Sequence, residues 1–269
     1  MDSAEVGKYI ESVAVRIGFH DGGSLAGTGV LYTLQTQNRA VVLTAGHVLQ
    51  RALAKSHSCP AVLSVWSESG AKDIFLELAD SSNDKAANIH YCPGFMIDSG
   101  KYIFDAAIIE VPWSDWMQDI PEIHFGEAKI SAQVKLMGFP KSTDSEATPT
   151  DWTRGRMSLS AEIPTSADND KEKAFKFSYT SPNSYPIERD DLMSGYSGSG
   201  LFLCDAARPK LIGLVSQSYG SDNVGNVAWA VSSYALKLLL TEYGLVLKES
   251  EFENGLSTLA EGYPERPGI

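Results

Sequence analysis

Ser194-Gly195-Tyr196-Ser197-Gly198-Ser199-Gly200-Leu201-Phe202 sets serines among glycines at the head of an apolar run. Two earlier stretches complete a pattern. Leu43-Thr44-Ala45-Gly46-His47 ends an apolar run in a histidine, and Phe104-Asp105-Ala106-Ala107-Ile108-Ile109 opens one with an aspartate. A nucleophilic serine needs a base to take its proton, an acid to orient that base, and backbone N–H groups to stabilise an oxyanion. Each part has a candidate here, in the chain order His, Asp, Ser.

Taken singly, each residue has a plainer reading. A lone histidine is more commonly a satisfied core residue, but His47 follows Ala40-Val41-Val42-Leu43 where a buried strand gives way to a turn, which sets an imidazole at a cleft rim as a general base. Asp105 enters the buried end of a strand, where an unpaired carboxylate is costly, so it needs a partner. The rival Asp98 stands in Asp98-Ser99-Gly100, which reads as an exposed turn. A Gly/Ser stretch alone reads as a turn. Around Ser197, however, Gly195 lets the backbone turn an N–H inward and Gly198 admits another chain close by. Ser199 is the rival nucleophile. A G-x-S-x-G elbow fails, because Ser199 stands where its second glycine belongs and all five histidines (His20, His47, His57, His90, His124) precede Ser197.

On these residues the chain resembles the chymotrypsin-fold (trypsin-like) serine endopeptidases, whose histidine follows a T-A-x-H strand end, whose aspartate sits in D-[IA]-A-[LI] and whose serine lies in G-x-S-G. The resemblance extends over most of positions 10–240. Asp105 lies 58 positions after His47, and Ser197 lies 92 after Asp105, room for several strands in each gap. The resemblance implies that His47, Asp105 and Ser197 are catalytic and that the N–H groups of Gly195 and Ser197 form the oxyanion hole. It also implies that Ser216 supports Asp105, and that Ser216, Gln217 and Ser218 bind extended peptide by strand addition. Glycine commonly stands at the position of Ser218 in this family. Asp191, six positions before Ser197, matches the residue that pairs with Arg or Lys in trypsin itself, with Asn226, Val227 and Ala228 forming the opposite wall. Tyr196 departs from the secreted members, which carry there an aspartate that pairs with a newly cut N-terminus. A neutral residue at this position is similar to the intracellular and high-temperature-requirement branches, so no N-terminal trimming is expected.

Strand-like runs recur at Val13–Ile17, Gly29–Leu34, Ala40–Leu43, Ala61–Trp66, Ile74–Leu78 and Ala106–Val111. A second set follows at Ile123–Phe125, Val134–Met137, Arg156–Ile163, Phe175–Tyr179, Gly200–Cys204, Leu211–Ser216 and Val227–Val231. The expected fold is all-β: two antiparallel six-stranded β-barrels, a chymotrypsin-like double barrel, with a C-terminal α-helix over Ser232–Tyr243. The expected domains are an N-terminal barrel over 1–118 carrying the His and Asp, a C-terminal barrel and helix over 119–247 carrying the Ser, and an acidic tail over 248–269. Trp113, Trp116 and Met117, in the connector from Pro112 to Pro121, are expected to pack between the barrels. Polar stretches at Ser142–Asp151 and Thr165–Lys173 read as surface loops.

Of 269 residues, 43% are hydrophobic, enough for a sizeable core, and the formal net charge is −12. That charge, with no Lys/Arg cluster, argues against nucleic acid and favours cationic polypeptide partners. The N-terminus lacks a signal peptide's basic and apolar regions, and no stretch has a membrane-spanning length. Three cysteines, Cys59, Cys92 and Cys204, make an odd, sparse set that suits a reducing compartment, so a cytoplasmic location is expected. His57-Ser58-Cys59 and His90-Tyr91-Cys92 do not form a paired metal motif, and Gly27-Thr28-Gly29 lacks dinucleotide-loop spacing, so neither metal nor cofactor is expected.

The function these readings lead to is a serine endopeptidase working through an acyl-enzyme, with a polypeptide substrate cut after Arg or Lys. A regulatory place in a bacterial stress or defence pathway, with a protein partner, is compatible with a bare protease domain. The alternative is a catalytically silent binding module on the same scaffold, which would carry a damaged triad or oxyanion turn.

Overall fold

The computed structural model of the chain describes residues 3–19, 25–56, 60–67, 70–79, 88–92, 105–126, 133–139, 151–157, 184–188, 195–204, 208–221 and 224–245. Strands dominate them, with three α-helices. The first sheet contains β1 (Ala14–Phe19), β2 (Leu25–Leu34), β3 (Arg39–Thr44), β4 (Ala61–Ser67), β5 (Gly70–Leu76), β6 (Ile89–Tyr91) and β7 (Ala107–Val111), in the order β5-β4-β1-β2-β3-β7-β6, every pair antiparallel. Strands β3 and β7 sit inside this sheet and are buried along nearly their whole length, which explains the apolar runs Ala40–Leu43 and Ala107–Ile109. Their register sets Thr44 opposite Ala107, so the residues just past Thr44 meet those just before Ala107.

The second sheet contains β8 (His124–Phe125), β9 (Gln133–Gly138), β10 (Asp151–Met157), β11 (Ser184–Glu188), β12 (Gly200–Leu203), β13 (Lys210–Ser221) and β14 (Val224–Ser232). Antiparallel pairing runs β12-β9-β10-β11-β14-β13, and β12 also pairs with β13, so the pairings return to their start. The short β8 joins β13 in parallel.

Among the described residues each sheet has seven strands, where six were expected. Strand β6, at three residues, is too short to show an alternating pattern, and Pro186 inside β11 argues against a strand in sequence terms. The expected strand at Phe175–Tyr179 and the loop at Thr165–Lys173 lie outside the described residues, as does Ser142–Asp151 apart from Asp151, which opens β10.

Two helices were not anticipated. Helix α1 (Ser3–Val13) buries Val6, Ile10 and Val13, a spacing of three and four residues that defines one helical face. Its Tyr9 hydroxyl donates to the Glu122 carbonyl at 3.0 Å, and its ring meets Phe202 edge-on with centroids 6.0 Å apart, tying α1 to the second sheet. Helix α2 (Gly46–Ser56) follows β3 directly and buries Val48, Leu49 and Ala52. The expected C-terminal helix is α3 (Ser233–Glu242), with Ser232 and Tyr243 as its caps and Ala235, Leu236, Leu239 and Leu240 on its buried face.

Between the sheets the chain makes a 3-10 turn over Asp115–Asp119 that buries Met117 completely, with Trp113 and Trp116 against the core. That core draws Val30 from the first sheet and Phe139, Phe202 and Leu214 from the second into one apolar cluster. No helix among the described residues is long and apolar enough to cross a membrane.

Cys92, just after β6, is buried, and burial together with nearby Glu242 pushes its thiol up to about 12. A thiol held protonated in the fold but free to ionise in the unfolded chain adds stability that is complete below the unfolded value of 9.0 and is lost as pH rises toward 12. Between pH 8 and pH 10, urea unfolding should therefore lose about 1 kcal/mol more stability in the parent than in Cys92→Ala. Iodoacetamide at pH 8 should leave native Cys92 unmodified.

Candidate active site

His47 lies in the first turn of α2 rather than on an open turn. First-turn N–H groups have no acceptor within their own helix, and the His47 N–H donates to Asp105 Oδ1 at 2.9 Å. The ring Nδ1–H donates to Asp105 Oδ2 at 2.6 Å. One carboxylate thus caps the helix and orients the imidazole, leaving Nε2 as the ring's acceptor. The β3–β7 register explains the meeting: Asp105 stands two residues before Ala107, and His47 three after Thr44.

Asp105 is 2% exposed and His47 5%, so the pair is all but desolvated. A third donor comes from the second sheet, where the Ser216 hydroxyl donates to Asp105 Oδ2. Ser216 is the extra residue of a β-bulge in β13, since Val215 faces Ala230 while Gln217 faces Trp229. A bulge re-aims the side chain it carries.

The turn before β12 carries Ser197. Gly195 and Gly198 have φ of +113° and +87°, backbone that residues with a Cβ rarely adopt. At Gly198 a Cβ would also lie 1.9 Å from the Thr28 carbonyl oxygen and 2.3 Å from Thr44 Oγ1. The Thr28 N–H donates to the Ser197 carbonyl at 2.9 Å, and Thr44 Oγ1 donates to the Thr28 carbonyl at 2.6 Å. The serine turn therefore packs on the strand ends that lead to His47. A Cβ at Gly27 would lie 2.7 Å from Val48 and 3.0 Å from the Ser197 carbonyl, so the residue after His47 and the serine turn flank the same point.

Within the turn, the Gly198 N–H donates to the Val215 carbonyl at 2.7 Å and the Ser199 N–H to the Tyr196 carbonyl at 2.9 Å. The N–H groups of Gly195 and Ser197 have no partner among the described residues. The rival serines differ sharply: Ser197 is half-buried, whereas Ser199 is fully buried beside Gly138 and Tyr196. Tyr196 buries its ring against Gly138.

Gln217 and Ser218 lie on β13, with Ser218 opposite Ala228 and Tyr219 opposite Val227 of β14. On the other edge of β13, pairing with β12 stops at Leu214, and Val215 bonds Ser199 and Gly198. No described strand covers that edge from Ser216 onward, directly after the residues that hold the serine turn. Asp191, the expected specificity residue, lies outside the described residues, as do Asp98, His57 and Cys59.

Among the described residues no group of three or more His, Cys, Asp or Glu side chains could hold a metal ion. His90 and Cys92 do not converge on a site of that kind. The His90 ring lies 4.1 Å from that of Tyr243, and its Nε2 is 3.4 Å from Glu110 Oε1, while Cys92 is buried and carries a free thiol. The residue that sequence reasoning passed over is Thr28, whose hydroxyl donates to the Gly195 carbonyl at 2.8 Å and accepts from the Phe139 N–H at 3.2 Å. Its one sequence signal was the pair of glycines around it.

No family model and no curated protein matches the chain. Among solved structures it is similar to Rv3671c from M. tuberculosis H37Rv, a serine-to-alanine mutant crystallised in its inactive form, with a TM-score of 0.49 and 16% identity over 92% of this chain and 96% of that one. A likeness this loose carries no argument about the site.

The backbone demand at Gly198 makes it the least replaceable residue of the turn. Gly198→Ala should lower stability by roughly 2–4 kcal/mol in urea unfolding, combining strain at positive φ with a clash against Thr28.

Proposed function

We propose that the chain is a serine endopeptidase of chymotrypsin-like double-barrel architecture, with barrels over 1–118 and 119–247 and an acidic tail over 248–269. The observation that carries this reading is the hydrogen bonding of Asp105 to both His47 groups and to Ser216, beside a glycine-bounded turn with a half-buried serine and two N–H groups that have no partner among the described residues. Ser197 attacks a peptide carbonyl while His47 takes the hydroxyl proton and passes it to the leaving amine. Asp105 holds the imidazole in the tautomer this needs and stabilises the imidazolium. The developing oxyanion is met by the Gly195 and Ser197 N–H groups. Water then hydrolyses the acyl-enzyme with His47 as base.

The open edge of β13 from Ser216 through Ser218 supports strand addition by an extended polypeptide. In this proposal Asp191 pairs with Arg or Lys before the scissile bond, and the net charge of −12 favours such cationic segments. We place the enzyme in the cytoplasm. Tyr196, packed against Gly138, supports a serine turn shaped by its own contacts rather than by a freshly cut N-terminus.

Ser197→Ala should abolish both fluorophosphonate labelling and peptide hydrolysis in a folded protein, while Ser199→Ala keeps labelling; the reverse outcome would sink the assignment. Asp105→Asn should lower kcat by about 10⁴-fold through the wrong imidazole tautomer, measured on any cleaved peptide. A peptide library should favour Arg or Lys before the cut, with Asp191→Ser losing that preference; an aliphatic preference unchanged by the substitution would remove Asp191 from the pocket.

A further inference from the structure

The Thr28 side chain reaches from the first sheet into the serine turn and has no role in the mechanism just described. Thr28 is completely buried. Its hydroxyl has one proton to give and gives it to the Gly195 carbonyl at 2.8 Å, while its oxygen accepts the Phe139 N–H at 3.2 Å. Its backbone N–H holds the Ser197 carbonyl at 2.9 Å, and its own carbonyl accepts from Thr44 Oγ1 at 2.6 Å. A single residue thus holds the carbonyls at both ends of Gly195-Tyr196-Ser197, the segment whose Gly195 and Ser197 N–H groups have no partner among the described residues.

Only the Gly195 end depends on the side chain. The Gly195 carbonyl belongs to a residue at φ +113°, with no Cβ to restrict its torsions, so its peptide plane is free to rotate unless something holds it. The Phe139 N–H, one residue past β9, fixes the hydroxyl by binding its oxygen, so the proton is directed at Gly195. On this basis, and resting on the proposed peptidase reading, we infer that the Thr28 hydroxyl is a positioning residue that holds the Gly195–Tyr196 peptide so that the Gly195 and Ser197 N–H groups converge on one oxyanion. Thr28 touches no reacting atom; it acts through the turn. Binding of substrate along β13 does not involve this bond, so its loss acts on rate and leaves affinity alone.

The test compares Thr28→Val, which keeps the shape and removes the hydroxyl, with Thr28→Ser, which keeps the hydroxyl. The full chain is assayed for kcat and KM with the most rapidly cleaved peptide of the library, which in the proposal pairs along β13, and with a fluorophosphonate probe for labelling rate. Thr28→Val should lower kcat and labelling by about tenfold to a hundredfold, the range in which ångström-scale misplacement acts, with KM within about twofold. Thr28→Ser should restore both rates to within about threefold. Rates for folded Thr28→Val equal to the parent's, whatever its melting temperature, would overturn the inference, as would Thr28→Ser falling as far as Thr28→Val. Should Thr28→Val not fold, Thr28→Ala against Thr28→Ser makes the same comparison. Ser197→Ala run alongside separates the two levels: if it retains hydrolysis the peptidase reading fails, whereas if it is dead and Thr28→Val is fully active only the role of Thr28 fails.

Discussion

The buried carboxylate of Asp105 is the constraint around which the rest is arranged. A charge at 2% exposure is tolerated only when its oxygens are satisfied, and removing one partner of a buried ionic group commonly costs about 3–5 kcal/mol. Its three donors come from different places: the start of α2, the His47 ring, and a bulge in the other sheet. Satisfying them sets where β3 gives way to a helix, which way the imidazole faces, and where β13 lies against the first sheet. The same bonds that offset the desolvation of Asp105 therefore bring His47 and Ser216 together at the candidate site.

The serine turn is the second junction between the sheets, and it works by close approach. Gly198 lies so near the Thr28 carbonyl that no side chain fits, and that proximity brings the Ser197 carbonyl within reach of a β2 N–H. Buried Tyr196 fills the space beneath the turn with an aromatic ring, so apolar packing against Gly138 supports a segment that would otherwise lie on glycine torsions alone. Because β13 loses its β12 partner just past Leu214 and Val215 bonds the serine turn, the edge that could receive a chain begins where the turn's own hydrogen bonds end.

The chain's order of apolar runs and glycine turns was enough to read most strands, because most residues of β3, β7 and the head of β13 are buried, with Glu110 the one charged residue inside β7. Strand β6 was too short for a pattern, and Pro186 spoke against β11 although that strand pairs residue by residue with β14. Helix α1 was passed over because its apolar residues are few, yet their spacing is helical and Tyr9 anchors it to Glu122 and Phe202. For the candidate site, the sequence singled out His47, Asp105 and Ser197 because each lies close to an end of an apolar run, a rare place for such residues. Ser199 was legible only as a rival. Its complete burial, against half-burial for Ser197, depends on which face of the turn meets Gly138.

By itself the sequence determined the residue types, the His, Asp, Ser order and the torsional freedom at Gly195 and Gly198, since these follow from local chemistry and from which side chains lack a Cβ. Tertiary structure alone decided that Asp105 caps α2, that Ser216 is bulged toward it, and that Thr28 holds the serine turn. Those outcomes depend on strand register and on contacts between residues more than 50 positions apart, 58 for His47 and Asp105 and 167 for Thr28 and Gly195. A one-residue slip in β2 or β13 would turn Thr28 or Ser216 to the opposite face while leaving every local preference unchanged.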